Sequence, residues 1–73
     1  MNEHGTIILH IDDILKKSEL SKNRVCQRAE IQHSQLNKMI NNQTLRIDLD
    51  VLARLCDTLD CDISDILEYK KPE

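Results

Sequence analysis

The stretch from Leu20 to Asn42, LSKNRVCQRAEIQHSQLNKMINN, leaves the chain few ways to fold. It reads as two short helices joined by a tight turn. Ser21 is a good N-cap, because its hydroxyl can accept from the free amides of a first helical turn. Behind it, Val25, Cys26 and Ala29 fall at i, i+1 and i+4 and make one narrow apolar stripe. Glu30, Ile31 and Gln32 form the turn, with Ile31 its only apolar residue. The next helix turns Leu36, Met39 and Ile40 inward. Its other side carries His33, Ser34, Asn37, Lys38 and Asn41, spaced so that they share one exposed face. Nearly every side chain there can donate or accept hydrogen bonds, and none is acidic.

A chain of 73 residues makes one domain, residues 1–73, with a small core. Hydrophobic residues are 40% and charged residues 32%, a balance that predicts a globular chain rather than a disordered one. Tyr69 is the one aromatic residue, so Leu, Ile, Val, Met and Cys must build the core. No stretch resembles a signal peptide. Thr6–Ile11 is apolar but too short for a bilayer. A cytoplasmic protein with no membrane partner is the expectation. Three cysteines, an odd number, argue against a disulfide framework.

The formal net charge of −3 speaks at first against a nucleic-acid partner. Its distribution does not. Between residues 21 and 46, five bases (Lys22, Arg24, Arg28, Lys38, Arg46) face Glu30 alone, a local +4, while the remainder carries five bases and twelve acids. Charges are screened beyond about 8 Å at physiological salt. A polyanion seated on the basic segment therefore feels the local excess more than the distant acids. Solubility alone could also account for a mixed surface.

In chain order, Met1–Gly5 is expected to fray, with Gly5 at its end. TIILH, Thr6 to His10, is a short β-prone run. Asp12 caps or opens a first helix that contains Ile11, Ile14 and Leu15 and ends near Ser18, and Leu20 packs in the connector. Asn42 is a candidate left-handed helix terminator. Thr44–Ile47 connects to a fourth helix capped by Asp48, with Asp50 in its first turn. There Leu52, Leu55, Cys56 and Leu59 recur at i, i+3, i+4 and i+7. After a turn at Asp60 and Cys61, Asp62 caps a fifth helix, roughly Ile63 to Leu67, with Ile63, Ile66 and Leu67 inward. TIILH and the LEYKK end are the strand candidates. Pairing them would tie the termini together and cover Ile7 and Leu9.

Five short helices with a tight turn between the second and third resemble the Cro/C1-type (XRE-like) helix-turn-helix family of bacterial and phage regulators. The residues that carry the resemblance are LSKNRVCQRA, then IQHSQLNKMINNQ, then RIDLDVLARLCDTLDCDISDILEY, and together they cover about Ile11 to Tyr69. The resemblance implies an all-α, five-helix lambda-repressor-like domain with its helix-turn-helix at 21–41. Two residues depart from the pattern. Glu30 stands where the family usually has Gly, and keeping that geometry costs about 1 kcal/mol. Cys26 stands where Ala is favoured, and is small and apolar enough to fit.

The resemblance also implies that the third helix, about His33 to Asn41, reads the major groove of double-stranded DNA. The groove admits one α-helix whose N-terminal residues reach base edges. His33, Ser34, Gln35, Asn37 and Lys38 are the expected base contacts. Lys38 can donate to guanine O6 and N7, and Gln35 can bond adenine bidentately. Ser34 can serve base or phosphate. Ser21, Lys22, Arg24, Asn41, Thr44 and Arg46 are the expected backbone contacts. Lys22 stands where the family often has a Gln that touches phosphate and braces the third helix, and its ammonium can do the phosphate half of that job. A solvated basic face would display many of the same residues without touching DNA.

Catalysis has little support. With one Gly in the chain there is no Gly-rich phosphate loop. Cys56 and Cys61 have the wrong spacing for a zinc knuckle, and buried structural thiols are expected there rather than a metal site completed by a histidine. No cofactor, metal or small-molecule ligand is expected, and the chain is not expected to be an enzyme. One recognition helix reads few base pairs, so a homodimer on a two-fold operator is expected, with the TIILH edge and the fifth helix with Tyr69 as candidate surfaces. The acidic stretch Ile47–Tyr69, with seven acids and one base, motivates a different function: a protein-binding module that masks another regulator. RNA binding is a third reading, against which the lack of stacking aromatics counts.

Overall fold

The computed structural model describes residues 4–44 and 46–72. Along them run β1 (Thr6–Leu9), α1 (Ile11–Ser18), α2 (Lys22–Ala29), α3 (His33–Ile40), α4 (Leu49–Leu59), α5 (Ile63–Ile66) and β2 (Leu67–Lys70). The strands pair antiparallel, from Thr6 opposite Lys70 to Leu9 opposite Leu67. The described residues are thus five helices closed by a two-stranded tie between the first and last elements.

The helix boundaries follow from local chemistry. Ser21 takes extended backbone and its hydroxyl accepts from Arg24 N, which fixes the start of α2. Asp48 does the same for α4 by accepting from Asp50 N. Asp62 and Asp65 cap α5 reciprocally, each carboxylate accepting from the other's backbone N–H. Asp12 does not cap α1. His10 holds the N-cap position, and Asp12 lies in the first turn, where its charge favours the helix dipole.

Glu19, Glu30, Asn42 and Asp60 each take positive φ at or just beyond a helix end. After α2, α3 and α4 the same backbone closure follows: Ile31 N donates to Cys26 O, Gln43 N to Lys38 O, and Cys61 N to Cys56 O. These are Schellman closures, which satisfy carbonyls left over at a helix C-terminus. Glu30 therefore keeps the tight turn at φ 57° and ψ 47° without being Gly.

The core runs from Leu9, Ile11 and Leu15 through Val25, Cys26, Ala29, Ile31, Leu36 and Met39 to Val51, Leu52, Leu55, Leu59 and Ile66. α4 lies along α2, and α1 packs on α3, α4 and α5. His10 N donates to Ile66 O at 2.8 Å and joins α1's start to α5. Asn42 clamps the end of β1: its Oδ1 accepts from Leu9 N at 2.7 Å and its Nδ2 donates to Leu9 O at 3.1 Å. The residue that ends α3 thereby fixes where the first strand stops.

Several expectations need correction. Ile7 is 60% exposed although it shares a face of β1 with buried Leu9, because only the end of the strand next to α1 is covered by the core. Ile63 is 47% exposed, since α5 stops at Ile66 after one turn and turns only Ile66 fully inward. Leu67, expected in that helix, opens β2 and is half-buried. Cys56 is half-buried, while Val51, missing from the expected stripe, is buried. Gly5 is no frayed end: it is buried, and its N–H donates to the Tyr69 hydroxyl at 3.1 Å. Met1–Glu3, the rest of the segment expected to fray, and Leu45 of the connector lie outside the described residues.

Candidate nucleic-acid interface

α3 is eight residues long, and one side of it belongs to the core. Leu36 and Met39 are fully buried. The remaining side is open: His33, Ser34, Asn37 and Lys38 are exposed, as is Asn41 just beyond the helix. Gln35 sits at the shoulder and is half-buried. No carboxylate lies in α3, so nothing on this face repels a polyanion.

The start of α2 reaches across the turn to the same face. Lys22 Nζ donates to Asn37 Oδ1 at 3.5 Å. Asn23 Oδ1 and His33 Nε2 lie 3.2 Å apart, a hydrogen bond in which the amide oxygen accepts from Nε2. Lys22 occupies the Asn37 oxygen, so the free end of Asn37 is its amide N–H pair. Two α2 residues thus present the polar groups of α3 in a chosen polarity. Lys22 thus also touches the third helix, a contact beyond the phosphate role expected of its ammonium. Asn23 was not anticipated, because a helix-surface Asn carries no signal of its partner.

On the other flank, an open groove of about 690 Å³ runs between α3 and the segment after it. Ser34, Gln35 and Lys38 line one wall, and Thr44 and Arg46 line the other. Gln32 and Gln43 also line it and were not singled out in the sequence. Both are amides adjoining the helix ends, and position beside the helix was the available signal. Ser21, Lys22, Arg24 and Arg46 are exposed, and Thr44 is half-buried. The Ser21 hydroxyl accepts from Arg24 N at 3.1 Å, which leaves its own proton free to be donated. No hydrogen bond among the described residues ties the side chains of Arg24 or Asn41 to this cluster. They flank it from the α2 side and from the end of α3.

The acids lie elsewhere. Asp57, Asp60, Asp62 and Asp65 surround the α4–α5 corner, and Asp50 pairs with Arg54. Arg54 also donates from Nε to Ala29 O at 2.7 Å and so caps the end of α2. No group of three His, Cys, Asp or Glu among the described residues is placed to hold a metal ion, and no described helix is long and apolar enough to cross a membrane. An uncharged-to-basic helix face with a basic rim can donate hydrogen bonds to phosphates and to base edges alike.

Comparisons with known proteins agree with this geometry. A family model for the Cro/C1-type HTH DNA-binding domain matches residues 10–72. An uncharacterised HTH-type transcriptional regulator of Bacillus subtilis (strain 168), YozG, is 34% identical over 67 residues, which span 92% of this chain and 80% of that protein. The crystal structure of a candidate DNA-binding protein from Bacteroides fragilis superposes with a TM-score of 0.76 at 13% identity, over 86% of this chain and all of that one. At that identity the likeness concerns the fold.

Proposed function

Because the chain belongs to the family of Cro/C1-type helix-turn-helix DNA-binding domains, we propose that it is a sequence-specific transcriptional regulator that lays α3 in the major groove of duplex DNA. The observation that carries this reading is the open, acid-free face of α3, flanked by Lys22 and Arg24 on one side and Arg46 on the other. In it, His33, Ser34, Gln35, Asn37 and Lys38 meet base edges. Ser21, Lys22, Arg24, Asn41, Thr44 and Arg46 hold phosphates on either side of the groove. Lys22 serves twice, since the ammonium that meets phosphate also orients Asn37.

A helix this short reads only a few base pairs, so the reading includes a homodimer on a two-fold operator, with half-sites about 34 Å apart. It also makes the protein cytoplasmic. The four carboxylates at the α4–α5 corner point the molecule away from DNA in the wrong orientation and weaken nonspecific contact.

Selection of bound duplexes from a random pool tests the reading. A symmetric consensus with two half-sites is expected, and Lys38→Ala or Gln35→Ala should change which bases are enriched. Recovery of no duplex at low salt would overturn it, and would favour a protein partner on the acidic surface. Equal loss of affinity for every duplex in both variants would remove those residues from base reading.

A further inference from the structure

Two thiols lie outside the DNA-facing surface and take no part in it. Cys56 is in the last turn of α4, and Cys61 follows the turn that leaves it. Asp60 between them takes φ 51°, which bends the chain back until Cys61 N donates to Cys56 O at 3.0 Å. This closure sets the two residues side by side, at the pair of positions where a Schellman motif often has an apolar contact. After α2 the same closure joins Cys26 to Ile31, and both are buried. Only after α4 are both positions sulfur. Cys56 and Cys61 line the same surface depression, and both are half-buried, so a small solute can reach them. A disulfide needs Cα atoms about 4.4–6.8 Å apart, and the 3.0 Å bond from Cys61 N to Cys56 O brings the two backbones together.

We propose that Cys56 and Cys61 are an oxidant-responsive staple, a dithiol that hydrogen peroxide converts to an intramolecular disulfide pinning the α4–α5 corner. The Cys56 thiolate attacks one peroxide oxygen. The O–O bond breaks, Cys56 becomes a sulfenic acid, and the other oxygen leaves as hydroxide and takes up the thiol proton to become water. The Cys61 thiolate then attacks the Cys56 sulfur, the S–S bond forms, and the sulfenic oxygen leaves as a second water. Two thiols together lose two hydrogens and two electrons, and one peroxide is reduced to two waters.

The surroundings order the two steps. Burial, then the charge of Cys56 and of Asp65, the hydrogen bond to Cys56, and the charge of Asp62 push the Cys61 thiol up to about 11. Cys61 therefore stays protonated at neutral pH, and the first attack falls to Cys56. Conversion of Cys56 to a neutral sulfenic acid removes the repulsion between the two sulfurs, so Cys61 ionises more readily at the moment it must attack. Cys26, within α2, is 6% exposed and belongs to the core.

The test treats the full chain with hydrogen peroxide and follows intact mass, thiol content and melting. Loss of two hydrogens is expected. Alkylation after unfolding should then modify Cys26 alone, and digestion should yield one fragment set joining Cys56 to Cys61. Tm should rise by about 10 °C, since the cross-link restrains the unfolded chain. Dithiothreitol should reverse every change, and Cys56→Ser and Cys61→Ser should abolish them. Oxidation that stops at oxygen adducts on Cys56, cross-linked dimers in place of the internal bridge, or a two-hydrogen loss that survives in Cys61→Ser would overturn the proposal. Peptide mapping of the unsubstituted chain decides the matter even if a serine variant fails to fold.

Discussion

Glu30 holds the conformation that glycine adopts most easily, at φ 57° directly after α2. Its Cβ crowds the following carbonyl, and its carboxylate sits at the negative end of a helix dipole. Glu30→Gly should therefore stabilise the fold by about 1 kcal/mol and raise Tm by about 4–8 °C, as thermal unfolding would register. An unchanged or lower Tm would mean that the carboxylate has a compensating partner. The same economy recurs at Glu19 and Asp60, both αL and both acidic. The single glycine of the chain is used elsewhere. A Cβ on Gly5 would collide with the Lys70 carbonyl and lie 2.9 Å from Tyr69 Cε1, so it is close packing of β1 on β2 that requires glycine there. That was illegible in the sequence, where a glycine five residues from an end reads as punctuation. Cys61 carries the residue-scale consequence for pH. Its folded value of about 11 lies above its ordinary 9, so the folded chain holds that proton more tightly. The stabilisation is complete below pH 9 and lost as pH rises through about 11. Between those limits, reduced protein should lose more stability in denaturant titrations than Cys61→Ala does, and equal losses would remove Cys61 as the cause.

At the scale of elements, periodicity and caps made most of the fold readable. α4 is the clearest case, because Leu52, Leu55 and Leu59 recur at helical spacing behind a capping Asp48 and all three are buried. Leu55 is fully buried in the core. Leu55→Ala should cost about 2–5 kcal/mol by leaving a cavity, enough to unfold most of a domain this small, and urea titration would measure it. A variant that melts with the parent would take Leu55 out of the core. What stayed hidden are the contacts between elements. Arg54 reaches from α4 to the last carbonyl of α2, and Asn42 reaches from the end of α3 to both backbone groups of Leu9. Both residues announced themselves only as surface arginine and helix-ending asparagine. Their partners lie 25 and 33 residues away, beyond what any local pattern encodes. The exposed side of α3 was legible for the opposite reason. It is defined by what it lacks, apolar and acidic side chains at helical spacing, and that can be counted in sequence. The tether from Asn23 to His33 could not be counted, since it depends on how α2 and α3 cross.

For the whole molecule, charge separation has a quantitative consequence. The basic residues of the helix-turn-helix segment and the carboxylates of the α4–α5 corner sit in different parts of the fold, so DNA contact can release counterions on one side only. Each phosphate neutralised contributes about −0.9 to the slope of log K against log salt. If Lys22, Arg24 and Arg46 each meet one phosphate, a single domain should show a slope near −2.7, and a pair of domains on a two-fold operator about twice that. Arg24 is the cleaner residue to remove, because Lys22 is also bonded to Asn37 on the reading face. Arg24→Ala should weaken all sequences alike. It should flatten the slope by about one unit if one domain is bound and by about two if a dimer is. Fluorescence anisotropy across a salt series, on one selected and one unrelated duplex, would measure both quantities together. A change of slope confined to the selected duplex would show that Arg24 reads sequence rather than phosphate. An unchanged slope on both would place it away from the DNA.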